Sequence, residues 1–175
     1  MKQYILFFSH TLALTTILST APSLHADMIG NLNPINQKTF SSKDVKRYTA
    51  FGDFNDIKAF LISAIEQRGI KISNTAYISN MLQRTGEDVG DAKPIYKHAE
   101  AIMFCSAKLS RDMMQADPHN IVFCPYTILI YELARDPGTT YLSYRLPYYQ
   151  AGAENHASQT KVDELLSRII EEVVE

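Results

Sequence analysis

Each of the two cysteines in this 175-residue chain, Cys105 and Cys124, follows a phenylalanine at the border of an apolar run. Three chemistries suit such a pair. If the two runs are adjacent antiparallel strands joined by 106–123, the residues flanking the connection lie opposite or nearly so. Their Cα atoms would then be about 4.5 to 5.5 Å apart, a separation that a disulfide tolerates. Closing that loop would stabilise the domain by on the order of 3 kcal/mol through the unfolded chain. The same placement lets the thiols cycle, in disulfide exchange or sulfur carriage, and Pro125 removes an amide beside Cys124. Against cycling, the spacing is not Cys-x-x-Cys, and no Lys or Arg is fixed beside either sulfur to depress a thiol pKa. The third chemistry is a soft metal or haem. Two thiolates with Met103, Met113, Met114 and His119 suit copper(I), and Cys124 or His119 could serve as an axial haem ligand. No Cys-x-x-Cys-His and no close histidine pair accompanies them, and methionines at this spacing are more often core filling. The disulfide ranks first of the three, with Met113, Met114, His119 and Tyr126 as the ligand-binding candidates around it.

How two cysteines behave depends on their compartment. Residues 1–26 carry one charge, Lys2, then a short apolar stretch interrupted by Ser9, His10, Thr11, Thr15 and Thr16, and end in a small residue, Ala26. That is the pattern of a secretory signal peptide cleaved after Ala26, and it is too broken for a membrane span of about 20 apolar residues. The expected location is periplasmic or secreted, where neighbouring thiols tend to oxidise. Cleavage leaves 149 residues, one domain's worth, with 16 basic against 19 acidic side chains. With no basic cluster beyond Lys46-Arg47, nucleic acid and, after cleavage, membrane are not expected partners.

The elements that must position the sulfurs follow from periodicity. Residues 27–44 read as a flexible arm, and 45–175 as a single α+β domain. A strand over 45–54 leads into a helix over 57–68 capped by Asp53 or Asn55, with Gly69 as its left-handed exit. Strands are expected over 70–78 and 96–107, separated by a loop over 85–94. Within the second of these, Ala101, Met103 and Cys105 share one face. Residues 108–120 offer one or two helical turns ended by Asp117-Pro118. The longest apolar run, 121–133, reads as a central strand buried on both faces, and 140–146 returns after the turn Asp136-Pro137-Gly138. Residues 147–158 are polar. A C-terminal helix over 160–174 follows, its Thr160 and Asp163 spaced as a capping box. The order is β-α-β-β-β-β-α, an antiparallel sheet of four to five strands with helices on one face.

Phe51-Gly52-Asp53-Phe54, the helix ending Glu66-Gln67-Arg68-Gly69, the strand ending Met103-Phe104-Cys105, and Met113-Met114-Gln115-Ala116-Asp117-Pro118 occur here in sequence. With the hairpin from Cys124-Pro125-Tyr126 to Tyr144-Arg145-Leu146-Pro147 they resemble, over 45–147, the bacterial domain-of-unknown-function family 302. The resemblance implies a core similar to half of the TATA-binding-protein fold and brings no catalytic residues. It also marks a departure. Many members have Gly-Asn-Pro and Leu-Pro-Leu where this chain has Cys105-Ser106-Ala107 and Cys124-Pro125-Tyr126.

Other residues carry less. Glu100 and Glu132 receive no role as a carboxylate pair, and Ser106 and Ser110 lack the glycines of a nucleophile elbow. Tyr126, Tyr131, Tyr141, Tyr144, Tyr148 and Tyr149 cluster around the last hairpin and read as sheet packing. An open, apolar sheet face favours a homodimer. The expected protein is an exported accessory or ligand-binding module stapled by Cys105 and Cys124, bound to a small ligand or to another periplasmic protein. The alternatives are a thiol-redox or sulfur-carrier protein and a copper- or haem-binding protein.

Overall fold

The computed structural model describes residues 39–42, 44–148 and 153–175, the side chains of 153–155 excepted. The expected signal peptide, most of the arm and Tyr149 lie outside the described residues. Within them the chain runs β1 (Phe40–Ser41), β2 (Val45–Phe51), α1 (Phe54–Glu66), β3 (Ile72–Tyr77), α2 (Ile78–Thr85) and β4 (Tyr96–Phe104). It continues through α3 (Ala107–Ala116), a 3-10 turn (Pro118–Phe123), β5 (Tyr126–Leu133), β6 (Thr139–Arg145) and α4 (Ala153–Val174). The strands form one antiparallel sheet in the order β1-β2-β6-β5-β4-β3. The α+β class is therefore as the periodicity implies. The sixth strand is β1, two residues of the expected arm.

Strand alternation decides what is inside. Tyr48 and Ala50, Ile102 and Phe104, Ile128 and Ile130, and Leu142 and Tyr144 all turn to one face and are buried there. On that face they meet Ile57, Leu61 and Ile65 of α1 and Leu166, Ile169 and Ile170 of α4. The α1 N-terminus is fixed by Asp53, whose carboxylate accepts from the amides of Asn55 and Asp56. Gly69 leaves the helix at φ +70°, a conformation that costs other residues a steric penalty. Among the described residues no helix packs over the opposite face. Instead a row of side chains crosses it: Phe40 under the Arg47 guanidinium, Arg47 beside Tyr141, Tyr141 stacked on Tyr131, and Tyr131 edge-on to Tyr96. Cross-strand aromatic pairs of this kind stabilise a sheet where burial by a second layer is missing.

Four sequence expectations change. The run 121–133 is not one strand: Pro118 starts a 3-10 turn through Phe123, Ile121 and Val122 are exposed, and β5 begins at Tyr126. Nor is β5 buried on both faces. Its residues alternate between buried and half-buried, because only one face has helices. Residues 78–85 form α2, which lies beside β4 where β3 has ended; the Ala99 amide donates to Ser79 Oγ at 3.2 Å. The C-terminal helix begins at Ala153, so Thr160 and Asp163 lie within it and form no cap.

Asp163 does something else. Lys46 Nζ from β2 approaches its two carboxylate oxygens at 2.8 and 2.9 Å, and Tyr144 and Tyr148 donate their hydroxyls to it. Ser167 Oγ meets the Tyr144 hydroxyl at 2.7 Å. Burial raises the cost of this charge, but the Lys46 ammonium and the two phenols outweigh it and hold the carboxyl below its ordinary range. A carboxylate with a depressed pKa contributes stability that is present above the ordinary value near 3.9 and is lost as pH falls through the lower folded value. Asp163→Ala is expected to cost about 2 to 3 kcal/mol in urea unfolding, since it strands two hydroxyls and a partly exposed ammonium. Asp163→Asn should show a shallower loss of stability than the native chain below about pH 4. Equal acid slopes would mean that this carboxylate is not the group that titrates.

Candidate functional site

The two sulfurs meet where β4 ends and β5 begins. Pairing between these strands ends at Phe104 opposite Tyr126, so one further step sets Cys105 against Pro125 and leaves Cys124 a residue beyond. The cysteines are thus diagonal neighbours rather than register partners, and the Cys124-Pro125 peptide is cis. Both are free thiols, half-buried, and the Cys124 side chain hydrogen-bonds to Cys105. The sequence alone placed them correctly at adjoining strand ends and missed the one-residue offset.

The layer beneath them comes from α3. Ser106 caps this helix by accepting from the Leu109 amide at 3.4 Å, which starts the helix immediately after Cys105. One turn on, Ser110 Oγ lies 4.0 Å from Cys124 Sγ and donates to the Tyr126 hydroxyl at 3.0 Å. Ser110 is therefore the residue that links the sulfurs to Tyr126. As a nucleophile it had no signal in the sequence, and it is not placed as one. Its only legible sign was its place four residues after the Ser106 cap.

Electrostatics keep Cys105 and Tyr126 protonated. Burial pushes the Cys105 thiol up to about 11, and the neighbouring Cys124 adds to that by hydrogen bond and charge. The Tyr126 amide and Ser110 pull weakly the other way. Burial likewise moves the Tyr126 hydroxyl up to about 12, against the hydrogen bond from Ser110. A thiol in this state is a poor nucleophile at neutral pH, because attack needs the thiolate.

The remaining candidates are dispersed around this pair. Met113 is fully buried in the main core, and its carbonyl accepts from Asn120 Nδ2 at 2.7 Å; Met114 is half-buried on the same helix. His119 is exposed on the 3-10 turn, where its amide donates to Asp117 Oδ1. Among the described residues no three His, Cys, Asp or Glu side chains gather as a metal site. Glu132, given no role from sequence, is a buried carboxylate that accepts from the Gly138 amide at 2.7 Å and from Lys97 at 3.1 Å. It fixes the β5–β6 turn. A charged residue within an otherwise apolar strand was the signal for it.

A second feature borders the sulfurs. Pairing between β5 and β6 ends at Leu129 opposite Ser143, although β5 stays paired to β4 as far as Tyr126 and β6 stays paired to β2 as far as Arg145. The two central strands therefore part at this end. A cleft of about 470 Å³ opens between them, floored by Val162 and Leu166 of α4 and walled by Phe123, Pro125, Tyr126 and Leu146.

The family described as "Domain of unknown function DUF302" matches residues 45–173, which extends the resemblance through α4. The crystal structure of an uncharacterized conserved DUF302 protein from Bacillus stearothermophilus is 14% identical and superposes with a TM-score of 0.59. The match covers 73% of this chain and 97% of that one. At that identity the likeness carries the fold alone. No curated protein matches the chain.

A thiol with a raised pKa contributes stability that is fully present below its ordinary value and is lost as pH rises through the folded one. For Cys105 that window runs from 9.0 to about 11. Under reducing conditions, the stability difference between the native chain and Cys105→Ser should shrink across this window. A difference that stays constant from pH 8 to 11 would contradict the burial of this thiol.

Proposed function

Because the chain belongs to the DUF302 family, a domain of unknown function, its activity has to be argued from its own residues, and we propose that it is an exported ligand-binding module. Cys105 and Cys124 join there as a disulfide staple beside the binding cleft. The observation that carries this reading is the pair of free thiols at adjoining strand ends, with Cys105 held protonated by burial. Thiols this close form a bridge in an oxidising compartment, yet Cys105 is too weakly acidic to act as an exchange nucleophile near neutral pH. The staple ties β4 to β5 at the end where β5 has lost β6 as a neighbour.

Thiol counting on protein recovered from its own compartment tests the staple. Intact-mass measurement with alkylation should show no label before reduction and two labels after it. An absorption spectrum and native mass of the same sample should show neither haem nor copper. Two reactive thiols accompanied by copper or a Soret band would replace the staple with a metal or haem site, in which Cys105, Cys124, Met113 and His119 become the ligands to change. Steady turnover in an insulin-reduction or sulfur-transfer assay, lost in Cys105→Ser and in Cys124→Ser, would replace the module with an enzyme.

The helix-free sheet face supports a homodimer. Tyr96, Tyr131 and Tyr141 of its aromatic row are half-buried within one chain, while Phe40 in the row and Phe51 on the same face are exposed. A second copy would cover this row symmetrically. Light scattering of the mature protein is expected to give the mass of two chains, and Tyr131→Glu the mass of one. A native chain that is monomeric at high micromolar concentration would refute the pairing.

A further inference from the structure

The parted central strands form a built opening, and its lining specifies a class of ligand. Its floor and walls are apolar: Val162 and Leu166 below, with Phe123 and Leu146 beside them. Tyr126 and Tyr144 add ring surface only, since their hydroxyls are taken by Ser110 and by Asp163 with Ser167. The volume, about 470 Å³, falls in the range of roughly 300 to 1,000 Å³ usual for small-molecule sites.

The head of the cleft differs from its floor. Leu146 turns its amide to Asp44 on the β2 side, so strand alternation aims the peptide groups of Arg145 at β5. Their ladder partner would be Thr127, but the register has already ended at Leu129 opposite Ser143. The Arg145 side chain is exposed at the same place, and none of the described carboxylates forms an ion pair with it. Apolar walls thus lead to a guanidinium, which only donates, and to the Arg145 backbone N–H beside its carbonyl. The other charged group near the cleft, Asp163, is neutralised by Lys46 and turned away under Tyr144.

The geometry points to an amphipathic carboxylate as the ligand of this cleft, its hydrocarbon chain lying against Val162 and Leu166 and its head held by Arg145. This assignment rests on the ligand-binding reading above and names the chemistry it takes. A neutral or cationic molecule with the same chain would leave Arg145 unanswered.

The chain contains no tryptophan, so one placed at the rim reports on the cleft alone. Val122 lines the opening and is 75% exposed. In full-length mature protein carrying Val122→Trp, decanoate is expected to shift and saturate the tryptophan emission, while decanol and decyltrimethylammonium bind at least severalfold more weakly. Adding Arg145→Gln should weaken decanoate roughly fivefold, the scale of one exposed ion pair, and leave decanol unchanged. Adding Thr127→Phe, which fills the mouth, should abolish the response to decanoate. Arg84→Gln, on α2, should change nothing. Equal affinity for the three amphiphiles, or an Arg145→Gln protein that binds decanoate as before, overturns the carboxylate. A folded reporter protein that responds to none of the three overturns the cleft as a site. The module reading fails on a different measurement, thiol turnover that depends on Cys105 and Cys124, which decanoate binding does not move.

Discussion

A carboxylate inside a protein must be met by donors, and the position of α4 depends on how Asp163 is met. Lys46 reaches it from β2, Tyr144 from β6, and Tyr148 from the segment that follows β6. Those contacts are directional, whereas the apolar stripe of α4 could slide along the sheet by a turn at little cost in buried area. The charge sets the register of the helix, and the register sets which side chains floor the cleft. Val162 and Leu166 flank Asp163 in the helix, one residue before it and three after. Ser167 completes the ring of partners from within α4 itself.

Much of this was legible in the sequence because two periods dominate it. Alternation along 45–51, 96–104 and 139–145 marks three strands, and the stripe Leu165, Leu166, Ile169, Ile170, Val173 marks α4. Errors arose where composition and local backbone disagreed. Ile121 and Val122 look like strand interior, but Asp117 accepts from the His119 amide and Pro118 sits at the first position of a 3-10 turn. Local capping won over β propensity there. Residues 72–85 pass from strand into helix with neither Gly nor Pro at the junction, so nothing announced α2.

The candidate site was legible in part for the same reason. Two cysteines at the ends of two strands had to adjoin once the strands paired. Their offset by one residue, the Ser110 link and the raised pKa of Cys105 are tertiary facts, set by how α3 closes over the strand ends. Asp163 illustrates the opposite failure. Its spacing from Thr160 matched a capping motif, yet the helix begins earlier and the side chain faces inward. A motif of two residues says nothing of where its helix starts.

The two margins of the sheet bear on how association is kept away from the strand edges. An unfinished strand edge is a template on which other chains can add and aggregate. Here one margin is β1, only two residues long, and the other is β3, broken by a bulge between Ile72 and Asn74 and followed at once by α2. Neither offers the long, flat row of open amides that fibril growth requires. Among the described residues, the aromatic face can therefore be offered to a partner without the rims of the sheet recruiting strands at the same time.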